Sequence, residues 1–341
     1  MKTIIGSYLI NAPFSALNNQ GIDSRSGNEN EVATKTIQSP EGRRPYISAQ
    51  ALRYWWRSIL EDKYNWNCSP VEKIDANQAV TRTNPLEFDD DDIFGYMSAR
   101  KIEYEDEKGK KKRENITVTR TSPLKCSPLI GLPISPKSDF GVMNRKFEGN
   151  PVLFSHQFYS NIFKGIFALD LDLAGTFTAI DKPGSRNLSP DLAKEYESLG
   201  YYVSEYNYYR LPDDIRKRRV SDTISALKYL SGGAMQALHH TDITPKAILI
   251  STLNGGNNIF MDVFPHNNYD NGLINLDTLT EVLHDYKGDL TTVYLGWTSG
   301  FGSDKDKEIL QYKAPEGVKL VVTTPAQAID EFVSELIKQG L

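Results

Sequence analysis

The sequence of 341 residues contains only two cysteines, Cys68 and Cys126, and no long hydrophobic run. Two cysteines are too few for a disulfide scaffold or for a zinc site of their own, so we expect a reducing, cytoplasmic location. No stretch reaches the roughly 18 consecutive apolar residues that a membrane-spanning helix needs, and we expect no membrane contact. The amino-terminal MKTIIGSYLINAP alternates and ends in Asn-Ala-Pro, which indicates a first strand and not a signal peptide.

The signatures of nucleotide cofactors and of nucleophilic catalysis are also missing. The sequence has no glycine fingerprint for dinucleotides, no phosphate-binding loop, no GxSxG elbow and no local Cys/His signature. His239 and His240 are adjacent, so they point two ways and make a poor metal site. We therefore predict no cofactor and no bound metal.

Positive charge is not in excess, because the formal net charge is −5 and the sequence pI is about 5.7. This balance argues against a nucleic-acid coat with a uniformly positive surface. It leaves room for a nucleic-acid groove, since binding needs only a local stripe of Lys and Arg. The hydrophobic share of 39% and the charged share of 24% are typical of soluble globular proteins.

The stretch Pro45–Leu60, PYISAQALRYWWRSIL, predicts a helix with Ser48 as its N-cap. Apolar residues recur at helical spacing and form a buried stripe, namely Leu52, Trp55, Trp56, Ile59 and Leu60. Gln50, Arg53 and Arg57 share the opposite face, and Arg43 and Arg44 come just before the helix. A helix start with nearby cations suits a phosphate group. An amphipathic surface helix with solvated arginines is the alternative.

The segments on either side of this helix are polar. Residues 11–45 predict a long loop, functional or disordered, that ends with Lys35 and the two arginines. Residues 62–115 resemble an insertion with a charged hairpin tip. Its four consecutive aspartates, Asp89–Asp92, predict a solvated acidic edge or a helix cap and not a metal site.

Residues 116–163 predict a projecting arm. Four prolines between Pro123 and Pro136 preclude a helix or a central strand there, and the stretch FGVMNRKF that follows contains Met143 and Arg145. Such an arm could wedge between bases, pack on a neighbouring subunit, or do both.

The rest of the chain alternates strands and helices. We predict strands at 165–178 and 258–264 and a helix at Asp213–Leu230, followed by Gly232 and Gly233. Paired glycines can cap the helix or let a backbone approach a ligand closely. The order favours an α/β (α+β) fold, most economically a split βαβ, ferredoxin-like arrangement.

An ordered set of segments resembles a known family. The set comprises PYISAQALRYWWRSIL, DIFGYM, TRTSPLKCSPL, GIFALDLDL and YLSGGAMQAL. It is similar to the RAMP-type backbone subunit of CRISPR effector complexes, most closely the DevR-like subunit of type I-B Cascade in the Cas seven family. The similarity runs from the first strand to about residue 250.

The resemblance implies a modified RRM palm, residues 1–61 and 164–341, with a finger insertion at 62–115 and a thumb arm at 116–163. It implies several copies along one CRISPR RNA, with other Cascade subunits and target DNA as partners. By position it implies a wedge at Met143, a glycine loop at Gly232, Gly233 and Met235, and RNA contacts at Lys35, Arg43, Arg44, Ser48, Gln50, Arg53, Arg57, Arg120, Arg145, His156 and Gln157.

The function that follows is a guide-RNA scaffold without catalytic activity. Type III relatives cut target RNA with an acidic residue near the position of Ala33, so we expect no cleavage here. Two alternatives stay open. One is a metal-dependent ribonuclease of the same fold that uses Asp23, Glu29 or Glu31. The other is a transcriptional regulator, although no helix-turn-helix recognition helix is visible.

Overall fold

The structure is a computed structural model that describes residues 1–22, 30–73, 79–105, 111–143, 149–180, 182, 184–265, 272–302 and 306–340. Its strands are β1 (Lys2–Ser15), β2 (Asn19–Ile22), β3 (Glu31–Thr34), β4 (Thr36–Ser39), β5 (Gly42–Ile47), β6 (Glu72–Lys73), β7 (Ala79–Val80), β8 (Tyr96–Glu105), β9 (Lys111–Arg120), β10 (Leu124–Cys126), β11 (Leu129–Gly131), β12 (Lys137–Met143), β13 (Val152–Asp170), β14 (Thr176–Thr178), β15 (Tyr202–Val203), β16 (Tyr208–Arg210), β17 (Ala247–Asn254), β18 (Val293–Trp297) and β19 (Leu320–Thr323). Its helices are α1 (Ala49–Tyr64), α2 (Asp89–Ile93), α3 (Pro190–Ser198), α4 (Asp213–Ser225), α5 (Gln236–His239), α6 (Leu276–Asp285), α7 (Asp306–Gln311) and α8 (Pro325–Gln339), with a 3-10 turn at Ala226–Tyr229.

One large mixed sheet organises the described residues. Its main path runs β19-β18-β17-β1-β13-β11-β5-β4, and β2, β3, β10 and β12 join it around β13. Most neighbours are antiparallel, whereas β18 pairs with β19 in parallel. Strand β13 is 19 residues long, so its second half belongs to the centre of the sheet and its first half extends beyond it with β12.

The two faces of the sheet carry separate apolar cores. Helices α1, α4 and α8 cover one face, where Trp56 packs edge-on against Phe167 at 5.8 Å and donates its indole N–H to the Thr223 carbonyl at 2.8 Å. Helices α6 and α7 and the turns around Phe260 cover the other face. Because both faces are covered, β1 is buried from Thr3 to Ile10 and β17 from Ala247 to Leu253.

The predicted α/β class is confirmed, and the large mixed sheet with helices is consistent with a ferredoxin-like palm that carries insertions. The predicted helix is α1, with its stripe buried as expected. Two local predictions were wrong. The described part of 11–45 contains strands β2 to β5 and is not one long loop, and residues 258–264 form turns instead of a strand.

The predicted segment boundaries fall inside regular elements, and the boundary after residue 61 divides α1. The boundary after residue 115 divides β9, which pairs with β8 from Tyr96 to Glu105, and the boundary after residue 163 divides β13. The proline-rich stretch does not project, because β10 and β11 within it pair with β13 and their Leu124 and Leu129 are fully buried. The projecting element is the β12–β13 hairpin. None of the described helices is both long and apolar enough to cross a membrane.

Candidate nucleic-acid interface

The amino terminus of α1 is capped as the sequence predicts. Ser48 has an extended backbone, and its hydroxyl accepts a hydrogen bond from the Ala51 N–H at 3.3 Å. Among the described residues, no acceptor binds the N–H groups of Ala49 and Gln50, and the Gln50 side chain is exposed. Two free N–H groups at the positive end of a 16-residue helix can bind an anion.

Backbone hydrogen bonds hold Lys35 beside the start of α1. Its N–H donates to the Asn18 carbonyl at 2.8 Å, and its own carbonyl accepts from the Tyr46 N–H at 3.2 Å. The Asn18 amide closes the set by donating to the Tyr46 carbonyl at 3.0 Å. The Lys35 ammonium is 5.3 Å from the centre of the Tyr46 ring, two residues before Ser48. A cation therefore stands next to the α1 amino terminus.

The glycine loop, Ser231–Met235, packs against the same place. Gly232 and Gly233 have φ angles of 147° and 109°, and a Cβ atom on Gly232 would lie 2.4 Å from the Trp55 ring. Ala234 donates its N–H to the Leu17 carbonyl at 2.8 Å. The glycines are thus required because the loop packs on Trp55 of α1 and on Leu17, which follows β1, and helix capping does not explain them, since α4 ends at Ser225. Met235 follows with a left-handed backbone and is half-buried.

The base of the β12–β13 hairpin completes this surface. The Gln157 side-chain oxygen accepts from the Thr34 N–H at 3.2 Å, which ties β13 to β3. His156 is 7% exposed, and its ring lies 5.8 Å from that of His239 at the end of α5. The structure therefore brings together Lys35, Ser48, Gln50, His156, Gln157, Gly232, Gly233 and Met235, a set we call the α1 surface.

Two predicted residues lie away from the α1 surface, and a third lies outside the described residues. Arg43 is exposed at the start of β5, five residues and about 16 Å of strand from Ser48. Met143 is 64% exposed at the far end of β12. Arg145 falls in 144–148, outside the described residues.

Four of the predicted RNA contacts are arginines that form hydrogen bonds or ion pairs inside the protein. Arg53 donates to the carbonyls of Phe94 at 2.5 Å and Leu124 at 2.8 Å. Arg44 is buried and donates to the Gly131 carbonyl at 3.2 Å. The other two, Arg57 and Arg120, pair with aspartates of α2.

Arg57 and Arg120 are bound by the acidic helix α2. Asp89–Asp92 are all 5% exposed or less, which corrects the prediction of a solvated acidic edge. Arg57 lies 3.0 Å from Asp90, and Arg120 lies 2.5 Å from Asp92. Arg218 and Arg219 of α4 both contact Asp89, and Arg219 also reaches Asp92. We call α2 with these four arginines the aspartate–arginine cluster.

The pKa values within the cluster differ because the partners differ. Burial alone would raise the pKa of Asp89, but hydrogen bonds and positive charge from Arg218 and Arg219 hold it below the ordinary value. Burial raises the pKa of Asp90 to about 6, and the Ser69 N–H and Arg57 only partly oppose it. The cluster is therefore an ionic network in which Arg120 and Arg219 are buried, whereas Arg57 and Arg218 remain partly exposed.

The sequence prediction missed Asn18, Tyr46 and His239. Asn18 and Tyr46 act through their backbone partners, for which the sequence has no signature, although Tyr46 lies next to the predicted cap. His239 was set aside because its neighbour His240 points away. Only the fold brings His239 to His156, 83 residues away in the sequence.

The geometry can now be compared with known proteins. The sequence profile of the family described as "CRISPR-associated negative auto-regulator DevR/Csa2" matches residues 5–271. The chain belongs to this family. Its members are CRISPR-associated proteins, as the resemblance in the sequence implied, and the match includes the whole α1 surface.

Solved structures with a similar fold come from CRISPR assemblies. One is a chain of a "CRISPR RNA-guided surveillance complex, pre-nicking", with a TM-score of 0.55 and 11% identity over 98% of this chain and 99% of that chain. A second, from a "CRISPR RNA-guided surveillance complex", has a TM-score of 0.50 and 10% identity over the same shares. At these identities the likeness establishes the fold alone. None of the curated proteins matches this sequence.

Among the described residues, no three His, Cys, Asp or Glu side chains are grouped so that they could hold a metal ion. Glu31 is 4% exposed, and the Ser138 hydroxyl donates to its carboxylate. Ala33 is buried in β3. Asp23 and Glu29 lie outside the described residues.

Proposed function

We propose that this DevR/Csa2 family member is a non-catalytic backbone subunit that binds CRISPR RNA and assembles along it in a type I Cascade effector complex. The bound RNA then pairs with target DNA. The observation that carries this proposal is the α1 surface, where a capped helix start, Lys35 and the glycine loop meet within one part of the palm. Membership of a CRISPR-associated family supports it.

The α1 surface has the chemistry of a phosphate contact that does not read sequence. Free N–H groups of Ala49 and Gln50, the helix dipole and the Lys35 ammonium all favour an anion. Contacts to phosphate fix the register of a strand and leave the base edges free. A guide of variable sequence requires this property, because base pairing with the target carries the specificity.

The small number of cations fits the negative net charge of the protein. Because Arg44, Arg53, Arg57 and Arg120 are bonded internally, each subunit contributes few cations to the RNA. Several subunits bound along one RNA then provide the affinity together, because linked binding sites raise the overall affinity without any new contact within one subunit. Affinity for RNA should accordingly rise with the number of copies bound.

The β12–β13 hairpin supports assembly between copies. Three of its apolar residues are well exposed, with Phe140 at 62%, Val142 at 54% and Leu153 at 61%. Phe140 pairs with Ser155 and Val142 with Leu153, so these side chains share one face of the hairpin. An exposed apolar face of this kind is typical of an interaction site.

A charge reversal tests the α1 surface. Lys35→Glu should weaken binding of single-stranded RNA and lower the amount of RNA that copurifies with the protein, because the cation is replaced by an anion beside the helix start. Lys319→Glu is the matched control, since Lys319 is 72% exposed at the other end of the sheet. Equal RNA binding by the two variants would exclude the α1 surface as the RNA site.

Two other functions make different predictions. A metal-dependent ribonuclease would cut complementary RNA at regular intervals when the assembled complex is incubated with Mg²⁺. The family description names a negative auto-regulator, and such a protein would bind a specific DNA duplex without guide RNA. Intact RNA in the first assay and no duplex binding in the second are the results we expect.

A further inference from the structure

His156 and His239 meet where the β12–β13 hairpin joins the palm. His156 belongs to β13 and His239 ends α5, and their ring centres are 5.8 Å apart with planes at 67°. His239 is one helical turn from the glycine loop, because its N–H donates to the Met235 carbonyl at 3.0 Å. The pair therefore connects the hairpin to the α1 surface.

Each histidine has a ring nitrogen without a partner. The Nδ1 atom of His156 and the Nε2 atom of His239 are shielded from solvent, and neither forms a hydrogen bond with any described residue. His239 also has a hydrogen bond with the Phe14 backbone, which orients its ring. On the adjoining strand β3, Val32 pairs with His156, and Thr34 lies two residues further on. The Thr34 hydroxyl is likewise buried and has no hydrogen-bond partner among the described residues. Buried polar atoms are normally paired, so these atoms indicate an interaction that the described residues do not supply.

The charges around the pair favour the neutral form of His239 in the free protein. Burial is the main cause of its lowered pKa, and the neighbouring His156 lowers that pKa further. Asp139 of β12, which lies opposite His156, and the Phe14 backbone act in the other direction. The Asp242–Lys246 ion pair follows on the loop after α5 and is neutral as a pair.

We propose that His156 and His239 bind a phosphate of the RNA backbone as a proton-linked pair, taking up a proton when the RNA binds. This inference rests on the proposed function. A phosphodiester carries a negative charge and accepts hydrogen bonds, so its approach between the hairpin and the glycine loop stabilises a protonated imidazole. Binding also gives a partner to a nitrogen that has none among the described residues.

The direction of the pH dependence follows from linkage. The pair binds a proton more tightly in the RNA complex than in the free protein, so RNA affinity rises as pH falls. The gain is complete below the pKa of His239 in the free protein and is lost as pH rises through the pKa of His239 in the RNA complex. One linked proton changes the dissociation constant by up to about tenfold for each pH unit between those two pKa values.

The test measures binding of fluorescein-labelled oligouridylate by the full-length protein between about pH 5.5 and about pH 8. Uridine does not titrate in this interval, so the proton must come from the protein. The variants are His239→Gln and His156→Gln, and His284→Gln on exposed α6 is the matched control. Circular dichroism and thermal unfolding confirm that each variant is folded.

The expected result is an affinity that rises with acidity in the wild type and in His284→Gln. In His239→Gln and His156→Gln the dependence of RNA affinity on pH should fall toward zero. RNA binding by the wild type that does not vary with pH, or an equal slope in all variants, would overturn the histidine pair and leave the proposed function intact. Failure of the wild type to bind RNA at any pH would overturn the proposed function itself.

Discussion

Arg120 and Asp92 form an ion pair at 2.5 Å in which both side chains are completely buried. Arg120 also donates to the Thr176 and Leu173 carbonyls, and its guanidinium lies 4.0 Å from the centre of the Phe177 ring. Asp92 also accepts from the Gly175 N–H. The pair therefore joins the β8–β9 hairpin to the segment that follows β13.

Removal of one member of this pair should destabilise the protein severely. We expect Asp92→Ala to lower the free energy of unfolding by about 3–5 kcal/mol, because Arg120 then keeps a buried charge without this counter-ion and Arg219 keeps only Asp89. Equilibrium unfolding in urea measures this loss. The exposed Asp285→Ala is the matched control and should change stability by less than about 0.5 kcal/mol. A small loss in Asp92→Ala would mean that water or another group replaces the carboxylate.

Local patterns in the sequence predicted local structure well. Ser48 and the apolar stripe from Leu52 to Leu60 identified α1, because a cap and helical spacing act within a few residues. The same spacing correctly placed Gln50 on the exposed face. The helical spacing could not predict the partners of Arg53 and Arg57, because Phe94 and Asp90 lie in a segment more than thirty residues further along the chain.

Long-range pairing also explains the errors in the insertions. Four adjacent aspartates are usually solvated, and Asp89–Asp92 are buried only because arginines from α1, α4 and β9 surround them. Prolines 123 and 136 excluded a long strand, but the short strands between them still pair with β13. The glycine loop was recognised from composition, whereas its packing on Trp55 required the fold.

Substitution of Arg53 should change stability and not RNA binding, whereas substitution of Lys35 should change RNA binding and leave stability nearly unchanged. Arg53→Ala removes the guanidinium hydrogen bonds to the Phe94 and Leu124 carbonyls and should cost about 1–3 kcal/mol of unfolding free energy. It should leave the salt dependence of RNA binding unchanged. Lys35→Ala should change stability little and reduce the slope of log K against log salt by about 0.7, the value for one phosphate contact on a single strand.

Fluorescence anisotropy at several salt concentrations and urea unfolding measure the two quantities on the same preparations. A reduced salt slope in Arg53→Ala, with normal stability, would show that Arg53 contacts RNA. An unchanged slope in Lys35→Ala would show that Lys35 does not contact an RNA phosphate.

Gly232 should not tolerate a side chain. In Gly232→Ala the new methyl group would lie 2.4 Å from the Trp55 ring, and the φ angle of 147° is unfavourable for alanine. We expect a loss of about 1–3 kcal/mol in thermal or urea unfolding, with weaker RNA binding because the loop beside α1 is displaced. Gly288→Ala is the matched control, since no atom lies within 4 Å of its Cβ position. Equal stability of both variants would show that the loop can shift without cost.

Asp90 should make the protein less stable as pH rises, although it forms an ion pair with Arg57. Its pKa is about 6 in the folded protein and 3.8 ordinarily, so the folded state holds the proton more tightly. The stabilising contribution of the protonated form is fully present below about pH 3.8 and is lost as pH rises through about 6. Relative to the wild type, Asp90→Asn should therefore gain on the order of 1–3 kcal/mol between about pH 4 and about pH 7.

Urea unfolding of both proteins across this pH range measures the gain, and the other aspartates cancel because both proteins contain them. Asp285→Asn reports the effect of the same substitution at an exposed site. A stability difference that moves the other way would mean that attraction to Arg57 outweighs the burial of the Asp90 carboxylate. In that case the Arg57–Asp90 pair would stabilise α1 against α2, as the Arg120–Asp92 pair stabilises β9 against α2.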